Sequence, residues 1–220
     1  MIGSISHGVK GLLTGLDGGI YILDSGLKKK DHGLIDEGWE VVKITIRRIR
    51  KMIQEILFYT KKREIKRQSV NIIEFVDDIA SFIELKTKEN SIGFKKEFNI
   101  TTSKFEVDTT AFRSALINIL ENAIDACTND HSQKTHQIEF SVKQDGRYIL
   151  FEISDNGIGM DEDTVDKIFT LFFSSKGDSG TGLGLFIAGN IIEQHDGTIK
   201  VNSAPGRGTK FSIRIPPKTA

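Results

Sequence analysis

Apolar side chains recur at helical spacing through the first sixty residues, in two runs separated by a charged stretch. The first run steps by three or four residues, through Ile5, Val9, Leu12, Leu16, Ile20, Leu23 and Leu27. The second run is close to a heptad repeat, with Trp39, Val42, Ile46, Ile49, Ile53 and Ile56. The polar sequence LKKKDHGLID lies between the two runs. This pattern predicts two helices joined by a short turn, a helical hairpin.

Each of these helices has an apolar stripe too wide for one hairpin to bury. Two hairpins packed as a four-helix bundle would cover both stripes, so we expect a homodimer formed through residues 1–67. Seven glycines within residues 1–30 disfavour formation of the first helix. Each one costs a helix interior up to ~1 kcal/mol relative to alanine. We expect packing to hold the helix, with close backbone approach along Gly11, Gly15 and Gly18, and local fraying as the alternative.

The rest of the chain alternates helical and strand patterns. Helices are predicted for NIIEFVDDIASFIELKTKEN, for TAFRSALINILENAIDAC with Asp108 and Thr109 as candidate caps, and for LGLFIAGNIIEQH. Strands are predicted for IGFKKEFNI, for a hairpin QIEFSVKQDGRYILFEISD that turns at Asp145–Gly146, and for a closing hairpin GTIKVNSAPGRGTKFSIRIP. The fold class is therefore α+β: a helical hairpin over 1–67, then a two-layer α/β sandwich over 68–220.

Composition narrows the class of protein without naming a function. The 220 residues are 38% hydrophobic and 27% charged, and none of the apolar runs approaches the ~18–20 residues of a membrane span. The single cysteine, Cys127, excludes an internal disulfide and favours a reducing compartment, for which we expect the cytoplasm. Residues 1–68 carry 14 Lys and Arg against 8 Asp and Glu. This basic segment lacks the interleaved aromatics of a nucleic-acid site, so we expect a solvated helical surface.

Three short stretches carry candidate chemistry. DNGIGM (155–160) directly follows a predicted strand, GTGLGL (180–185) opens a predicted helix, and LINILENAIDA places Asn118 and Asn122 one turn apart. Glycines allow the backbone to approach a ligand closely, and a helix start offers N–H groups to phosphates. Asparagine oxygens suit a hard cation such as Mg²⁺, and Asp155 at a strand end can accept a hydrogen bond from an exocyclic amine. Each stretch alone is weak evidence for a function. GTGLGL is neither a dinucleotide-binding fingerprint nor a P-loop.

Taken in this order, the motifs resemble the histidine-kinase branch of the GHKL ATPase superfamily over nearly the whole chain. NILENAIDA resembles the N box, DNGIGM the first glycine box, IFTLFF a phenylalanine box, GTGLGL the second glycine box and GRGTKFSIRIP the last strand. The resemblance implies ATP and Mg²⁺ as ligands, with Asn122 holding the metal and Asn118 assisting. It also implies that Asp155 binds adenine N6, with Thr209 nearby.

The resemblance further implies a mobile lid from Asp161 to Ser179, anchored by Phe169, Phe172 and Phe173. Lys176 would meet the β- and γ-phosphates, although a solvated lysine is the alternative. The nucleotide-binding residues implied in this way are Asn118, Asn122, Asp125, Asp155, Gly157, Gly159, Met160, Phe173, Lys176, Gly180, Thr181, Gly182, Leu183, Gly184 and Thr209.

In the same family a histidine on the first helix of the hairpin accepts the phosphoryl group. Helical geometry alone places His7 on the outer face of the first helix, beside Lys10, Thr14 and Tyr21. SHGVKGLL resembles the phosphoacceptor motif, but Gly8 replaces its acid, Gly11 a polar residue and Leu12 its proline. The sequence begins almost at His7, from which we expect no upstream signalling helix.

These motifs predict a sensor histidine kinase core that autophosphorylates on His7 and passes the phosphoryl group to an aspartate of a response regulator. One alternative is a catalytically weakened, ATP-binding dimeric scaffold that binds a response regulator. Another is a GHKL ATPase or protein-serine kinase that forms no phosphohistidine.

Overall fold

The computed structural model describes residues 2–60, 65–100, 104–132, 135–175 and 180–217. The chain divides into two compact units. The first unit comprises residues 1–62 and 168–186, and the second comprises residues 63–167 and 187–220. The domain boundary expected between residues 67 and 68 stays a prediction.

The first unit contains the predicted helical hairpin. Helix α1 spans Ile2–Lys29 without a break, so the seven glycines do not interrupt it, and α2 spans His32–Thr60. Only Lys30 and Asp31 connect them, and Lys30 adopts a left-handed φ of 55°. Asp31 caps α2, because its Oδ1 accepts a hydrogen bond from the Leu34 amide at 3.2 Å. The turn is therefore shorter than its polar sequence indicates, and His32, expected in the turn, begins the second helix.

Glycine allows the two helix backbones to touch, but at other positions than expected. A Cβ on Gly38 would lie 2.5 Å from the Leu23 amide nitrogen, and one on Gly26 would lie 2.7 Å from that of Ile35. Gly19 is also tightly packed, 3.0 Å from side-chain atoms of α2. Gly18 has nothing within 4 Å and Gly15 makes only an ordinary contact with Thr45, so the predicted approach at these two positions is wrong. Neighbouring helical residues point about 100° apart, which is why Gly19 meets α2 and Gly18 does not.

The elements that follow the hairpin agree with the predicted order and add a small sheet. The helices are α3 (Ile72–Glu89), α4 (Thr109–Thr128), α5 (Glu162–Val165) and α6 (Gly184–Gln194). The strands are β1 (Gln68–Asn71), β2 (Gly93–Asn99), β3 (Lys104–Val107), β4 (Gln137–Asp145), β5 (Tyr148–Asp155), β6 (Thr198–Ala204) and β7 (Gly208–Ile215). The antiparallel pair β1–β3 was not predicted. Asp108 caps α4 as expected, since its Oδ1 accepts from the Ala111 amide at 3.0 Å.

The main sheet of the second unit has the order β2-β4-β5-β7-β6, with β2 parallel to β4 and the other neighbours antiparallel. Its two faces differ. Apolar side chains of β4, β5 and β7 are buried on one face, against α4, and α3 packs beside α4 against β2. On the polar face Glu152 pairs with Lys143 and Lys210, each at 2.6 Å. A helix layer on one face and a polar opposite face confirm the two-layer α/β sandwich.

The core of the sandwich centres on Phe112 of α4, which is fully buried. Its ring lies 5.2 Å from that of Phe151, 6.1 Å from Phe105 and 6.0 Å from Phe75, measured between centroids. The ring of His195, just beyond α6, lies 5.5 Å away. Such pairs add roughly 0.5–1.5 kcal/mol each beyond the burial of their area. One side chain thus joins α3, α4, β3, β5 and the end of α6.

His195 is a structural residue that the sequence left unexplained. Its Nδ1 donates to the Ile191 carbonyl at 2.7 Å, and its Nε2 accepts from the Asp108 amide at 2.9 Å. These two bonds select the neutral tautomer, and burial lowers the pKa of His195 below its ordinary value. His195 therefore ties the end of α6 to the cap of α4, and both of its ring nitrogens are engaged.

The thiol of Cys127 is buried, as expected. Among the helices that the structure describes, none is long and apolar enough to cross a membrane.

Candidate functional site

Three polar residues lie side by side where β5 ends. The strand register pairs Asp155 of β5 with Thr209 of β7, and Thr209 with Ser203 of β6. Directly paired residues point to the same face of a sheet, so the three side chains form one row. Asp155 and Thr209 are both buried, and only 9% and 6% of their surfaces remain exposed. Buried polar groups at a strand end, next to a glycine loop, are typical of a small-molecule site.

The loop 155–160 is held against the helix layer. Asp155 Oδ1 accepts from the Gly157 amide at 2.9 Å, and the Ile158 amide donates to the Ala126 carbonyl of α4 at 3.2 Å. A Cβ on Gly157 would come within 2.5 Å of that carbonyl. The loop therefore follows α4 too closely for any side chain at position 157.

The same loop also interlocks with the turn between β6 and β7. Gly159 and Gly208 both adopt left-handed φ values, 65° and 84°. A Cβ on Gly159 would overlap the Ala204 carbonyl oxygen, and one on Gly208 would overlap the Asp155 carbonyl oxygen. The Gly206 amide donates to the Ile158 carbonyl at 2.7 Å and fastens the two turns together. Glycine is required at 159 and 208 by conformation and by space.

Asn156 fixes the loop from its other side. Its Oδ1 accepts from the Gln137 amide at 2.8 Å, and its Nδ2 donates to the Thr135 carbonyl at 2.9 Å. The amide thus bridges the loop to the segment that enters β4. Asn156 was not among the predicted site residues, although its place inside DNGIGM was a signal.

One face of α4 carries the predicted polar residues. Asn118, Asn122 and Asp125 are spaced by four and three residues, away from the fully buried positions of the helix. The Asn122 Nδ2 donates to the Asn118 carbonyl at 2.9 Å, which assigns the orientation of this amide. The other polar atom of this side-chain amide is Oδ1, a neutral oxygen of the kind that Mg²⁺ accepts as a ligand. The residues of this face thus fit a hard cation.

Ser203 was also missed, although it belongs to the row of Asp155 and Thr209. Its hydroxyl accepts from the Met160 amide at 2.8 Å and lies 2.9 Å from Thr209 Oγ1. A serine on an edge strand has no sequence signal of its own, because only the register between β6 and β7 brings it to the row.

The row lies in the second compact unit. The second glycine box and residues 168–175 of the predicted lid belong to the first compact unit. Within that unit, Gly182 adopts a left-handed φ of 64°, and a Cβ there would overlap the backbone of Phe172. The Phe172 amide donates to the Gly182 carbonyl at 2.9 Å. GTGLGL does open a helix, since α6 begins at Gly184. The roles assigned to Phe173, Gly180, Thr181, Gly182, Leu183 and Gly184 stay predictions.

Two predicted residues fall partly or wholly outside the described part of the chain. Lys176 lies in the gap 176–179. His7 lies within α1, but its side chain is outside the described residues, so its predicted outward direction stays a prediction. The positions that would share its face, Lys10, Thr14 and Tyr21, are exposed.

Comparison with known proteins identifies the second half of the chain. Residues 107–219 match the family of histidine kinase-, DNA gyrase B-, and HSP90-like ATPases. The match covers α4, the glycine loop, α6 and the closing hairpin.

Similarity extends beyond that domain to the hairpin. The signal transduction histidine-protein kinase AtoS of Escherichia coli (strain K12) is 30% identical over 98% of this chain and 34% of its own length. The chain spans about a third of the length of the curated relatives it matches.

Two solved structures are similar to the chain. The nucleotide-free catalytic domain of histidine kinase ThkA matches 70% of this chain and 99% of that chain, with a TM-score of 0.59 and 27% identity. ThkA in complex with response regulator protein TrrA matches 99% of this chain and 61% of that chain, with a TM-score of 0.74 and 24% identity. The second likeness shows that the chain shares the fold of ThkA over nearly its whole length. The resemblance drawn from the motifs is confirmed.

The interlocked turns generate a prediction with a matched control. Gly208→Ala and Gly206→Ala both introduce a side chain at a left-handed φ, which costs roughly 1–3 kcal/mol. Gly206 has open space around it, whereas Gly208 faces the Asp155 carbonyl. We expect Gly208→Ala to lower the free energy of unfolding by several kcal/mol more than Gly206→Ala, measured by urea denaturation. Equal losses in the two variants would show that the turns do not need to interlock.

Proposed function

The chain belongs to the histidine kinase-, DNA gyrase B-, and HSP90-like ATPase family, and on that premise we propose that it is the catalytic core of a sensor histidine kinase. It would bind Mg·ATP in the second unit, transfer the γ-phosphoryl group to His7, and pass that group to an aspartate of a response regulator. The observation that carries the proposal is the row Asp155–Thr209–Ser203 in the same compact unit as the asparagine face of α4.

The row would bind the adenine base. Asp155 is held in place by the Gly157 amide, and an ionised carboxylate offers only acceptors. Adenine presents two donor hydrogens on its exocyclic nitrogen. A buried carboxylate that accepts one of them would fix the base, because leaving such a donor unpaired in a buried site costs about 1–3 kcal/mol.

The asparagine face would serve the triphosphate. Asn122 Oδ1 would hold Mg²⁺, with Asn118 assisting and Asp125 at the end of the same face. When bound, the ion would neutralise charge on the β- and γ-phosphates. The backbone bond from Asn122 Nδ2 to Asn118 supports this role, because it keeps the Oδ1 atom from rotating into the helix. Gly180, Gly182 and Gly184 would border the phosphates, and Lys176 would meet them.

The chemical step would be an in-line transfer. A bond would form between one imidazole nitrogen of His7 and the γ-phosphorus, the bond to the bridging oxygen would break, and ADP would leave. The other ring nitrogen of His7 would lose its proton to solvent, because Gly8 stands where the family has an acid. A general base typically contributes about 10²–10⁴-fold, so its loss would slow transfer without preventing it.

The setting of His195 argues against it as the phosphoryl acceptor. His195 is buried, and its two ring nitrogens are both engaged in hydrogen bonds. Attack on a phosphoryl group would require it to give up one of them and leave the core. His32 and His131 are exposed, but they lie outside the phosphoacceptor motif.

The first unit would form the dimer. Each helix exposes apolar residues seven positions apart, Leu13, Ile20 and Leu27 on α1 and Trp39, Ile46 and Ile53 on α2. The interior of the hairpin is already filled by other residues, among them Gly19, Gly38, Val42 and Met52. Heptad spacing of uncovered apolar side chains on two adjacent helices is typical of a bundle that lacks its other half. A second copy would supply that half.

The partner and the setting follow from the same proposal. A phosphohistidine on an exposed helix face would be reached by the receiver domain of a response regulator. A buried single thiol and phosphotransfer between protein side chains suit a cytoplasmic location.

Labelling with γ-labelled ATP tests the kinase and separates it from its rivals. We expect slow incorporation of an acid-labile, base-stable label, lost in His7→Ala and in Asn122→Ala. Gly8→Glu should label faster than Gly8→Ala, since the alanine controls for the helix gain of up to ~1 kcal/mol that either replacement brings.

Other outcomes of that assay identify the other hypotheses. An acid-stable label would indicate a protein-serine kinase, and ATP binding without label would indicate the scaffold. Undiminished acid-labile label in His7→Ala would exclude His7. Equal rates for Gly8→Glu and Gly8→Ala would disprove the missing-base explanation.

The dimer is tested by a single charge in the exposed stripe. Ile46 is 44% exposed in one chain, so Ile46→Glu should leave the hairpin folded but place an unpaired charge in the interface, at a cost of several kcal/mol. We expect a dimer for the natural chain and a monomer for this variant by analytical ultracentrifugation at micromolar concentration. Gln54→Glu adds the same charge at an exposed polar position of α2 and should remain dimeric. A monomeric natural chain would contradict the bundle.

A further inference from the structure

The hydroxyl of Ser203 makes three contacts at the end of the row. The Met160 amide lies 2.8 Å from Ser203 Oγ, the Gly208 carbonyl oxygen lies 3.0 Å from it, and Thr209 Oγ1 lies 2.9 Å from it. The first group is a donor, the second is an acceptor, and the third has both capacities. Ser203 is half-buried, so the geometry of these contacts is set by the strands and the loop that carry them.

Only one arrangement of hydrogens satisfies all three contacts. A serine hydroxyl has one hydrogen to donate and two lone pairs to accept with. The amide of Met160 uses one lone pair, and the carbonyl of Gly208 can only receive the Ser203 hydrogen. Thr209 must therefore donate its own hydrogen into the second lone pair of Ser203. Any other arrangement loses one of these three hydrogen bonds, at a cost in stability.

This arrangement fixes the chemical character of Thr209. With its hydrogen committed to Ser203, the Thr209 hydroxyl has only lone pairs for a ligand. Asp155, its neighbour across β5 and β7, likewise offers only acceptors when ionised. The row thus presents two adjacent acceptors on one face of the sheet.

We infer that Ser203 is a specificity-determining residue, which makes the pocket select a purine with a 6-amino group and reject one with a 6-oxo group. Two acceptors match the two hydrogens of an amine. In the same pose, a carbonyl oxygen would face two other acceptors with no hydrogen between them. Ser203 acts through Thr209, so it is a positioning residue that need not touch the base.

This inference rests on the proposed binding of a nucleotide by the row. It goes further by naming the residue that sets the discrimination and the hydrogen through which it acts. Without the Ser203 hydroxyl, Thr209 is able to turn its hydrogen toward the ligand and donate to a 6-oxo group. Its lone pairs still accept from a 6-amino group.

The test measures binding of ATP and of inosine triphosphate to the full chain by calorimetry with Mg²⁺ present. We expect the natural chain to prefer ATP. Ser203→Ala should reduce the ratio of the two affinities about fivefold to tenfold, the worth of one hydrogen bond, mainly by tightening binding of inosine triphosphate. Ser203→Thr keeps the hydroxyl and should keep the natural ratio.

A double variant separates this role from a structural one. Thr209→Val removes the hydroxyl that Ser203 orients, so adding Ser203→Ala to it should leave the ratio where Thr209→Val set it. A purely structural Ser203 would instead weaken both nucleotides together and leave the ratio unchanged in Ser203→Ala, which would overturn the inference. If Ser203→Ala does not fold, Thr209→Val alone should still lower the preference for ATP, and an unchanged preference would overturn the inference as well.

The proposed function fails in a different way. A natural chain that binds neither nucleotide would remove the nucleotide site itself. A natural chain that binds ATP, combined with an unchanged ratio in Ser203→Ala, would leave the site in place and reject only the role of Ser203.

Discussion

The site depends on one steric constraint, the contact between the backbone of Gly208 and the carbonyl of Asp155. Strand β7 begins where β5 ends, and the two chains approach so closely that a single Cβ would not fit. The crossing of Gly159 over Ala204 repeats the constraint one strand further. Together these contacts bring the loop 155–160 onto the ends of β6 and β7 and leave the side chains of the row at the edge of the sheet.

The loop 155–160 also contacts α4. The loop is tied to α4 through the Ala126 carbonyl, so the asparagine face of α4 and the row of Asp155 belong to one compact unit. Phe112 and His195 hold the N-terminal end of α4 in the core, opposite the end that contacts the loop. A site built from a rigid sheet end and a buried helix needs little rearrangement to bind its ligand, which is the arrangement that favours affinity.

Much of this was predictable because the signals were local. The cap at Asp108, the helical periodicity of α4 and the glycines of the loop each act within a few residues of chain. The small sheet β1–β3 was missed because its strands have four residues each and pair over a long sequence separation.

The remaining errors have the same physical origin. Periodicity gives the spacing of a helix face but allows an error of one residue, and this error exchanged Gly18 for Gly19 at the hairpin interface. Ser203 and Asn156 act through register and through loop closure, and neither is visible before the strands are paired. The direction in which the Thr209 hydroxyl donates its hydrogen is even harder to predict from the sequence, since it depends on three distances to the Ser203 oxygen.

The most direct test of the central claim, that the asparagine face and the row together form a nucleotide site, is calorimetry of Mg·ATP binding with two asparagine variants of α4. Asn122 and Asn129 make the same bond, from Nδ2 to the carbonyl four residues earlier, at 2.9 and 2.8 Å. Asn122 lies within α4 among the predicted ligands, whereas Asn129 is the C-cap just beyond the helix and is not a predicted site residue. We expect the natural chain and Asn129→Ala to bind Mg·ATP, and Asn122→Ala to show no measurable binding. Unchanged affinity in Asn122→Ala, or equal losses in the two variants, would contradict the claim.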